Sequence, residues 1–245
     1  MLYVSTDYVF PGKEGEAPYD VDATPAPTNL YGQTKLDGEK AMLGAFKEAG
    51  KEGWGVVVRV PVLYGEAEVP EESAVNVLMN SVWKAQTEGL KVKMDDWSVR
   101  YPTNTEDAAR VMCGELTRFP PPSPSRGQVV NNHWSHLRVL VADTLDIDVT
   151  EKYLATEDKA ALPRILHFSS EDKTTKYKMC QLFGRIMGLS TENIEANAEG
   201  NDPNAAVQRP YDCHLSTRAL KELGIKVHTE DFEAWWRREV RAFRK

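Results

Sequence analysis

A tyrosine and a lysine stand four residues apart in the segment Tyr31-Gly-Gln-Thr-Lys35. Residues at this spacing lie on the same face of a helix, so the lysine ammonium can approach the tyrosine hydroxyl. A nearby cation favours the phenolate form, which suits proton transfer to a carbonyl group that is being reduced. The pattern alone is common on solvated helix surfaces, and its weight therefore depends on the residues that precede it.

Ser5 and Thr6 stand at the end of a short apolar run, Met1-Leu-Tyr-Val-Ser-Thr6. Such a run is typical of a buried strand in a parallel sheet. Ligands of α/β sheets bind at the carboxyl ends of the strands, where a hydroxyl can donate a hydrogen bond to the same carbonyl oxygen. Thr6, Tyr31 and Lys35 together predict a proton-transfer site. The alternative is that Thr6 caps a turn and Tyr31 packs at the start of a helix.

Strand-like and helix-like segments alternate along the chain, as the positioning of such a site requires. Apolar runs predict further strands at 54–64, 91–94 and 165–169. Amphipathic periodicity predicts helices over 30–49, 73–85, 105–117, 174–187, 216–223 and 229–243. Proline-rich or irregular composition predicts loops over 118–135 and most of 190–214. The alternation predicts an α/β fold, with a Rossmann-like parallel sheet and a smaller mixed α/β lobe.

The composition argues against several classes of protein. Thirty Lys+Arg against 37 Asp+Glu give a formal net charge of -7, which disfavours a broad nucleic-acid-binding face. No apolar run approaches the roughly 20 residues of a membrane span. Cys113, Cys180 and Cys213 are widely separated and odd in number, so we expect a cytoplasmic protein without a disulfide framework. His133 and His136 lack a third ligand at suitable spacing, so no metal site is expected.

Several longer motifs carry a resemblance to a known family. The segments are Ser5-Thr-Asp-Tyr-Val-Phe10, Pro25-Ala-Pro-Thr-Asn-Leu-Tyr-Gly-Gln-Thr-Lys35, Arg59-Val-Pro-Val-Leu-Tyr-Gly65, Arg100-Tyr-Pro-Thr103 and Gln208-Arg-Pro210. Together they resemble the extended short-chain dehydrogenase/reductase superfamily. Within it, the chain is similar to the branch that contains dTDP-4-dehydrorhamnose reductase and the regulatory β subunit of methionine adenosyltransferase.

The resemblance implies roles for individual residues. Thr6, Tyr31 and Lys35 would be the catalytic residues. NAD or NADP would be the cofactor, bound in part by Ser5, Tyr31, Lys35, Val60, Pro61 and Leu63. The substrate would contact Asp7, Tyr8, Arg100 and Arg209. From its residue type alone, Arg209 is equally well explained as a phosphate clamp or as an ordinary surface arginine, and Asp212 replaces an amide that the family usually carries.

The chain departs from the family in one important respect. The family begins with a strand, a glycine-rich turn and a helix, which hold the dinucleotide pyrophosphate. The densest glycine cluster here, Gly50-Lys-Glu-Gly-Trp-Gly55, lies between a helix and a strand, in the reverse order. We therefore expect a fragment or truncated product whose Rossmann sheet is incomplete at the N-terminus and which binds NAD(P) poorly. We expect one domain over 1–245, with the remainder of the sheet in 1–64, the interleaved lobe in 65–245, and a loop or insertion around 118–160.

Two functions follow from the resemblance. In the first, the protein is a non-catalytic regulatory subunit that binds the catalytic subunit of methionine adenosyltransferase and supports S-adenosylmethionine synthesis. In the second, it is an NAD(P)-dependent reductase of a 4-keto nucleotide sugar. The segments at 63–74 and 96–103 are more similar to the regulatory subunit, and we expect that function.

Overall fold

The structure, a computed structural model, describes residues 1–114, 147–201 and 208–241. The loop predicted over 118–135 lies outside the described residues, as do His133 and His136. Among the helices that are described, none is long and apolar enough to cross a membrane.

Three parallel strands form the main sheet. They are β1 (Leu2–Thr6), β2 (Val56–Val60) and β6 (Ile165–His167), in that order across the sheet. Every residue of the central strand β2 is buried, as expected for a continuous apolar run that is covered on both faces. The predicted parallel α/β sheet is confirmed. Strand β6 comes late in the sequence and returns to this sheet, so the two parts of the chain interleave.

Helix α1 (Leu30–Glu48) connects β1 to β2 and carries both Tyr31 and Lys35. Its first turn is capped by Asn29, whose side-chain oxygen accepts a 2.9 Å hydrogen bond from the backbone N–H of Gly32. A cap of this kind satisfies a backbone donor that has no partner inside the helix. The beginning of α1 is therefore fixed by sequence-local chemistry, within one residue of Tyr31.

A buried ion pair fastens α1 to the sheet. Arg59 of β2 donates to both carboxylate oxygens of Glu39 on α1, at 2.9 and 2.7 Å, and both side chains are almost fully buried. Arg59 Nη1 also lies 3.3 Å from Nε2 of His167, whose Nδ1 lies 3.2 Å from the carbonyl oxygen of Tyr19. Burial and the neighbouring Arg59 cation lower the His167 pKa to about 3. The ring is therefore neutral, with Nδ1–H donating to the carbonyl and Nε2 accepting from Arg59.

With the exception of one helix inside the stretch 118–160, the remaining helices lie close to the predicted segments. They are α2 (Val77–Thr87), α3 (Thr105–Cys113), α4 (Val149–Ala155), α5 (Lys176–Met187), α6 (Arg218–Glu222) and α7 (Phe232–Arg241). Helix α2 begins later than predicted, because the Ser73 hydroxyl accepts hydrogen bonds from the N–H groups of Val75 and Asn76 and holds a turn before the helix. Helix α4 lies inside the stretch 118–160, whose last part is therefore not loop throughout.

The smaller lobe contains two short parallel pairs of strands. Strand β3 (Leu63–Tyr64) pairs with β5 (Thr103–Asn104), and β4 (Val92–Asp95) pairs with β7 (Ile194–Asn197). Strand β7 falls in a stretch that the sequence predicts as mostly loop. Only Ile194 of this strand is buried, and the strand is four residues long, so its sequence is too short and too exposed to identify a strand.

An aromatic core holds this lobe together. Tyr64 of β3 packs edge-on against Phe232 of α7, and Phe183 of α5 packs edge-on against Trp236, each with ring centroids 4.8 Å apart. Trp235 and Trp236 also meet at 4.8 Å, and both are buried. Aromatic side chains of this size contribute a large share of buried apolar area. The core therefore ties the last described helix to α5 and to the strand that follows the main sheet.

Candidate functional site

A cleft of about 600 Å³ opens at the carboxyl ends of β1 and β2, where parallel α/β sheets bind ligands. Its size suits a small organic molecule. All but one of the predicted site residues line it: Ser5, Thr6, Asp7, Tyr8, Tyr31, Lys35, Val60, Pro61, Leu63 and Arg100. The structure thus brings these residues together in one cavity, and their individual roles stay predictions.

Thr6 and Asp7 form one wall where β1 ends. The Thr6 hydroxyl donates to Asp7 Oδ1 at 2.9 Å and accepts from the N–H of Tyr8 at 3.3 Å. Thr6 thereby caps a short 3₁₀ turn over Asp7–Val9, which is the contact expected from the turn-cap alternative. Burial raises the Asp7 pKa from 3.8 to about 6, although the Thr6 hydrogen bond and the Arg100 charge act in the opposite direction. The cleft therefore contains a carboxyl group that titrates close to neutral pH.

Tyr31 and Lys35 approach the cleft from α1. The Tyr31 side chain is 54% exposed, and its ring meets that of Tyr8 edge-on at 6.2 Å between centroids. Lys35 Nζ donates to the backbone carbonyl of Val4 at 3.2 Å and lies 5.6 Å from the ring centroid of Tyr3. The hydrogen bond of this ammonium thus goes to the strand backbone. Tyr31 lines the cleft and remains open to solvent.

Gly32 allows α1 to approach the end of β1 closely. A Cβ atom at this position would lie 2.1 Å from the carbonyl oxygen of Tyr8, well inside van der Waals contact. Any side chain at this position would push the helix away from the turn over Asp7–Val9. The glycine therefore sets the distance between the Tyr8 and Tyr31 rings.

A second wall of the cleft carries the basic residues Arg100 and Lys176. The sequence analysis did not predict Lys176 as a site residue. Arg100 is only 5% exposed, and its guanidinium carbon lies 5.8 Å from the ring centroid of Tyr8. Lys176, the first residue of α5, also lines the cleft. It lies in Thr175-Lys-Tyr-Lys-Met179, a segment that shares the family resemblance, but the resemblance gave this lysine no role in the site. Only the fold, which brings α5 against the segment around Arg100, places it in the site.

Arg209 is the predicted residue that does not line the cleft. It is exposed, and its backbone N–H donates to Asn201 Oδ1 at 3.0 Å. It lines a separate groove together with Trp97 and Tyr211. The neighbouring Asp212 is engaged within the protein, since its Oδ1 accepts from the N–H of His214 at 3.0 Å.

The described residues fit a dinucleotide only in part. Ser5 Oγ is buried at the cleft and has no hydrogen-bond partner, so a ligand group could satisfy it. No described strand passes through a glycine-rich turn directly into a helix. Gly50, at a φ of +63°, ends α1 instead, and its N–H donates to the Lys47 carbonyl. The glycine cluster is therefore a helix stop and not a pyrophosphate-binding turn.

Fold and cleft together define a Rossmann-like α/β protein with an open cavity at its strand ends. The chain belongs to the RmlD substrate binding domain family, which matches residues 1–125. The structure of a dTDP-4-dehydrorhamnose reductase from Bacillus anthracis in complex with NADP superposes with a TM-score of 0.63, covering 98% of this chain and 65% of that one. The two sequences are 17% identical, so this likeness concerns the fold.

Curated β subunits and curated reductases both match this chain, but over very different lengths. The methionine adenosyltransferase 2 subunit beta of Xenopus tropicalis is 32% identical over 229 residues, which is 94% of this chain and 54% of that protein. A dTDP-4-dehydrorhamnose reductase of Mycolicibacterium smegmatis is 47% identical over only 49 residues, 20% of this chain and 15% of the reductase. The chain thus spans about half the length of the β subunit it matches.

Proposed function

We propose that this protein acts as a β-type regulatory subunit of methionine adenosyltransferase and works by binding the catalytic subunit. The observation that carries the proposal is the extent of the likeness to β subunits, 94% of the chain, against 20% for the reductase. We place the protein in the cytoplasm, since its cysteines in the described residues, Cys113, Cys180 and Cys213, are free.

Two residues of the cleft form hydrogen bonds within the protein. The Thr6 hydroxyl donates to Asp7 and accepts from a backbone N–H, and one N–H of the Lys35 ammonium donates to a backbone carbonyl. We assign Ser5, Val60, Pro61 and Leu63 to ligand contacts at the sheet edge, together with Asp7 and Tyr8. A reductase of a 4-keto nucleotide sugar is the second candidate, because Tyr31, Lys35 and Thr6 share one cavity. In that case Tyr31 is the acid and Thr6 the carbonyl donor.

A binding and activity experiment separates the two functions. The purified chain is mixed with the catalytic subunit of methionine adenosyltransferase 2, and complex formation and synthetase kinetics are measured. We expect a complex and altered synthetase kinetics. Absence of both would contradict the regulatory proposal for this chain. The same preparation is assayed for NAD(P)H-dependent reduction of dTDP-4-dehydrorhamnose.

Tyr31→Phe is the diagnostic variant, and Tyr177→Phe is its matched control outside the cleft. The change removes one hydroxyl and leaves the helix and its packing intact, so partner affinity should stay within about threefold of the wild type. Loss of a general acid costs roughly 10²–10⁴-fold in rate. Robust ketone reduction that collapses in Tyr31→Phe but not in Tyr177→Phe, without partner binding, would establish the reductase instead.

A further inference from the structure

Strand β1 lies at one edge of the main sheet, and in the described part of the chain it pairs only with β2. The backbone N–H of Val56 donates to the carbonyl of Met1 at 2.9 Å. Backbone groups of a strand point alternately to its two sides, so those of Tyr3 also point to β2, while those of Leu2 and Val4 point away. Within the described residues, the N–H and carbonyl of Leu2 and the N–H of Val4 have no hydrogen-bond partner.

The side chains of this strand favour pairing with a further strand. The run Leu2–Thr6 contains no charged side chain, and the apolar, β-branched Val4 is 42% exposed. Unpaired N–H and C=O groups on such an edge form a template for a strand of another chain, and folded proteins often block such edges with a lysine. The β1 edge therefore needs a feature that keeps it unpaired.

Lys35 engages the fourth of the backbone groups that point away from β2. Its Nζ donates to the carbonyl of Val4 at 3.2 Å and lies 5.6 Å from the ring centroid of Tyr3. Close packing of α1 against β1 holds it there, because a Cβ atom at Gly38 would lie 2.1 Å from the Tyr3 hydroxyl oxygen. Gly38 and Lys35 are three residues apart and share one face of α1. The ammonium group thus lies on the β1 edge itself.

We propose that Lys35 keeps the β1 edge from pairing with the same edge of a second copy of this chain. Antiparallel pairing around Tyr3 would place Leu2 opposite Val4 of the other copy and would satisfy the unpaired groups of both strands. It would also require the Val4 carbonyl that Lys35 engages, and it would remove the ammonium group from water at a high cost. The two Val4 residues would lie about 8 Å apart, so the two ammonium charges would repel each other.

Sedimentation velocity over a wide range of protein concentration tests the proposal. Lys35→Met keeps the length and apolar stem of the side chain and removes its charge. Lys40→Met is the matched control, because Lys40 is exposed on the same helix and the change in net charge is the same. We expect the wild type to sediment as a monomer. Because pairing of Lys35→Met displaces no charge-assisted hydrogen bond, its self-association should be about tenfold tighter or more, and that of Lys40→Met should stay within about twofold of the wild type.

Two further variants show whether the association uses the β1 edge. Val4→Pro in the Lys35→Met background removes the N–H of Val4 that points away from β2 and leaves the bonds to β2 intact, so the dimers should disappear. Lys35→Arg retains a cation that can donate to the Val4 carbonyl and should remain monomeric. Far-UV circular dichroism of each variant checks that it is folded.

Amide exchange measured by NMR gives a readout on the wild-type chain, without any variant. The Val4 amide should exchange without protection in the wild type at every protein concentration, and in Lys35→Met it should become protected as the concentration rises. The proposal is overturned if the wild-type amide shows concentration-dependent protection, if Lys35→Met stays monomeric, if Lys40→Met associates as strongly, or if Val4→Pro does not restore the monomer. The proposed function does not depend on this edge, so such a result would leave it untouched.

Discussion

The aromatic core of the smaller lobe and the ion-pair network beneath α1 are both fully buried, but different forces hold them. Tyr64, Phe183 and Trp236 meet ring against ring, so the lobe depends on filled volume. The network joins Glu39, Arg59 and His167, and it depends on matched charge and hydrogen bonds. The first arrangement tolerates small changes of shape, whereas the second fails as soon as one partner is removed.

The two regions also differ in what they position. The aromatic core holds α7 against α5, but it specifies their relative orientation only weakly, because apolar contacts are not directional. The bidentate contact between Arg59 and Glu39 sets the position of α1 along and across β2. Because α1 carries Tyr31 and Lys35, the polar network aligns one wall of the cleft, while the aromatic core supports the lobe that supplies the other.

The largest effect on stability is expected from truncating the aromatic core. Trp236→Ala removes a side chain that is 1% exposed and leaves a cavity among Tyr64, Phe183 and Phe232. Substitutions of this kind cost about 4 kcal/mol. Urea unfolding monitored by circular dichroism measures the loss. Trp83→Ala is the control, because Trp83 is 57% exposed, and its effect should stay within about 0.5 kcal/mol. Equal effects of the two variants would contradict the assignment of the core.

Breaking the ion pair should cost somewhat less. Arg59→Met leaves the Glu39 carboxylate buried without its partner, and removal of one member of a buried pair costs about 3 kcal/mol or more. The double variant Arg59→Met with Glu39→Leu removes both charges and should recover much of the loss in the same urea experiment. A double variant that is as unstable as the sum of the single variants would show that packing, and not charge matching, governs this region.

The smallest of the three effects concerns Asp7. The charge of this buried carboxyl group is balanced less completely than the charge of Glu39, which is paired with Arg59. Its pKa is raised from 3.8 to about 6 in the folded protein, so the folded state holds the proton more tightly than the unfolded chain. Its stabilising contribution is complete below about pH 4, falls as the pH rises, and is lost above about pH 6. Asp7→Asn keeps an oxygen that can accept from Thr6 and avoids the charge.

We therefore expect Asp7→Asn to raise the free energy of unfolding at pH 7.5 by up to about 3 kcal/mol, since one pKa unit corresponds to about 1.4 kcal/mol. The gain should largely disappear near pH 4, where the carboxyl group is protonated in the folded wild type and about half protonated in the unfolded chain. Unfolding curves at pH 4, 6 and 7.5 check this dependence. A gain that is constant with pH would assign the effect to local packing, and Asp37→Asn on the exposed face of α1 is the control.

Local sequence patterns predicted much of the architecture. The run at 56–60, apolar except for Arg59, identified the central strand, and the periodicity of α1 together with Gly50 identified that helix and its end. These features depend on neighbours within a few residues, which is why they can be read from the chain. Strand β7 escaped prediction because it is largely exposed and gains its strand character only by pairing with β4.

Residue types and spacing determined which side chains could serve the cleft, and the strand ends determined where most of them gather. The sequence could not indicate that Arg59, inside an apolar strand, is neutralised by Glu39, or that Lys176 faces the same cavity as Arg100. Each of these pairs joins segments that lie far apart along the chain, and a contact of this kind exists only after the chain has folded. The charge state and accessibility of a buried group depend on such contacts, and the tertiary structure therefore decided them.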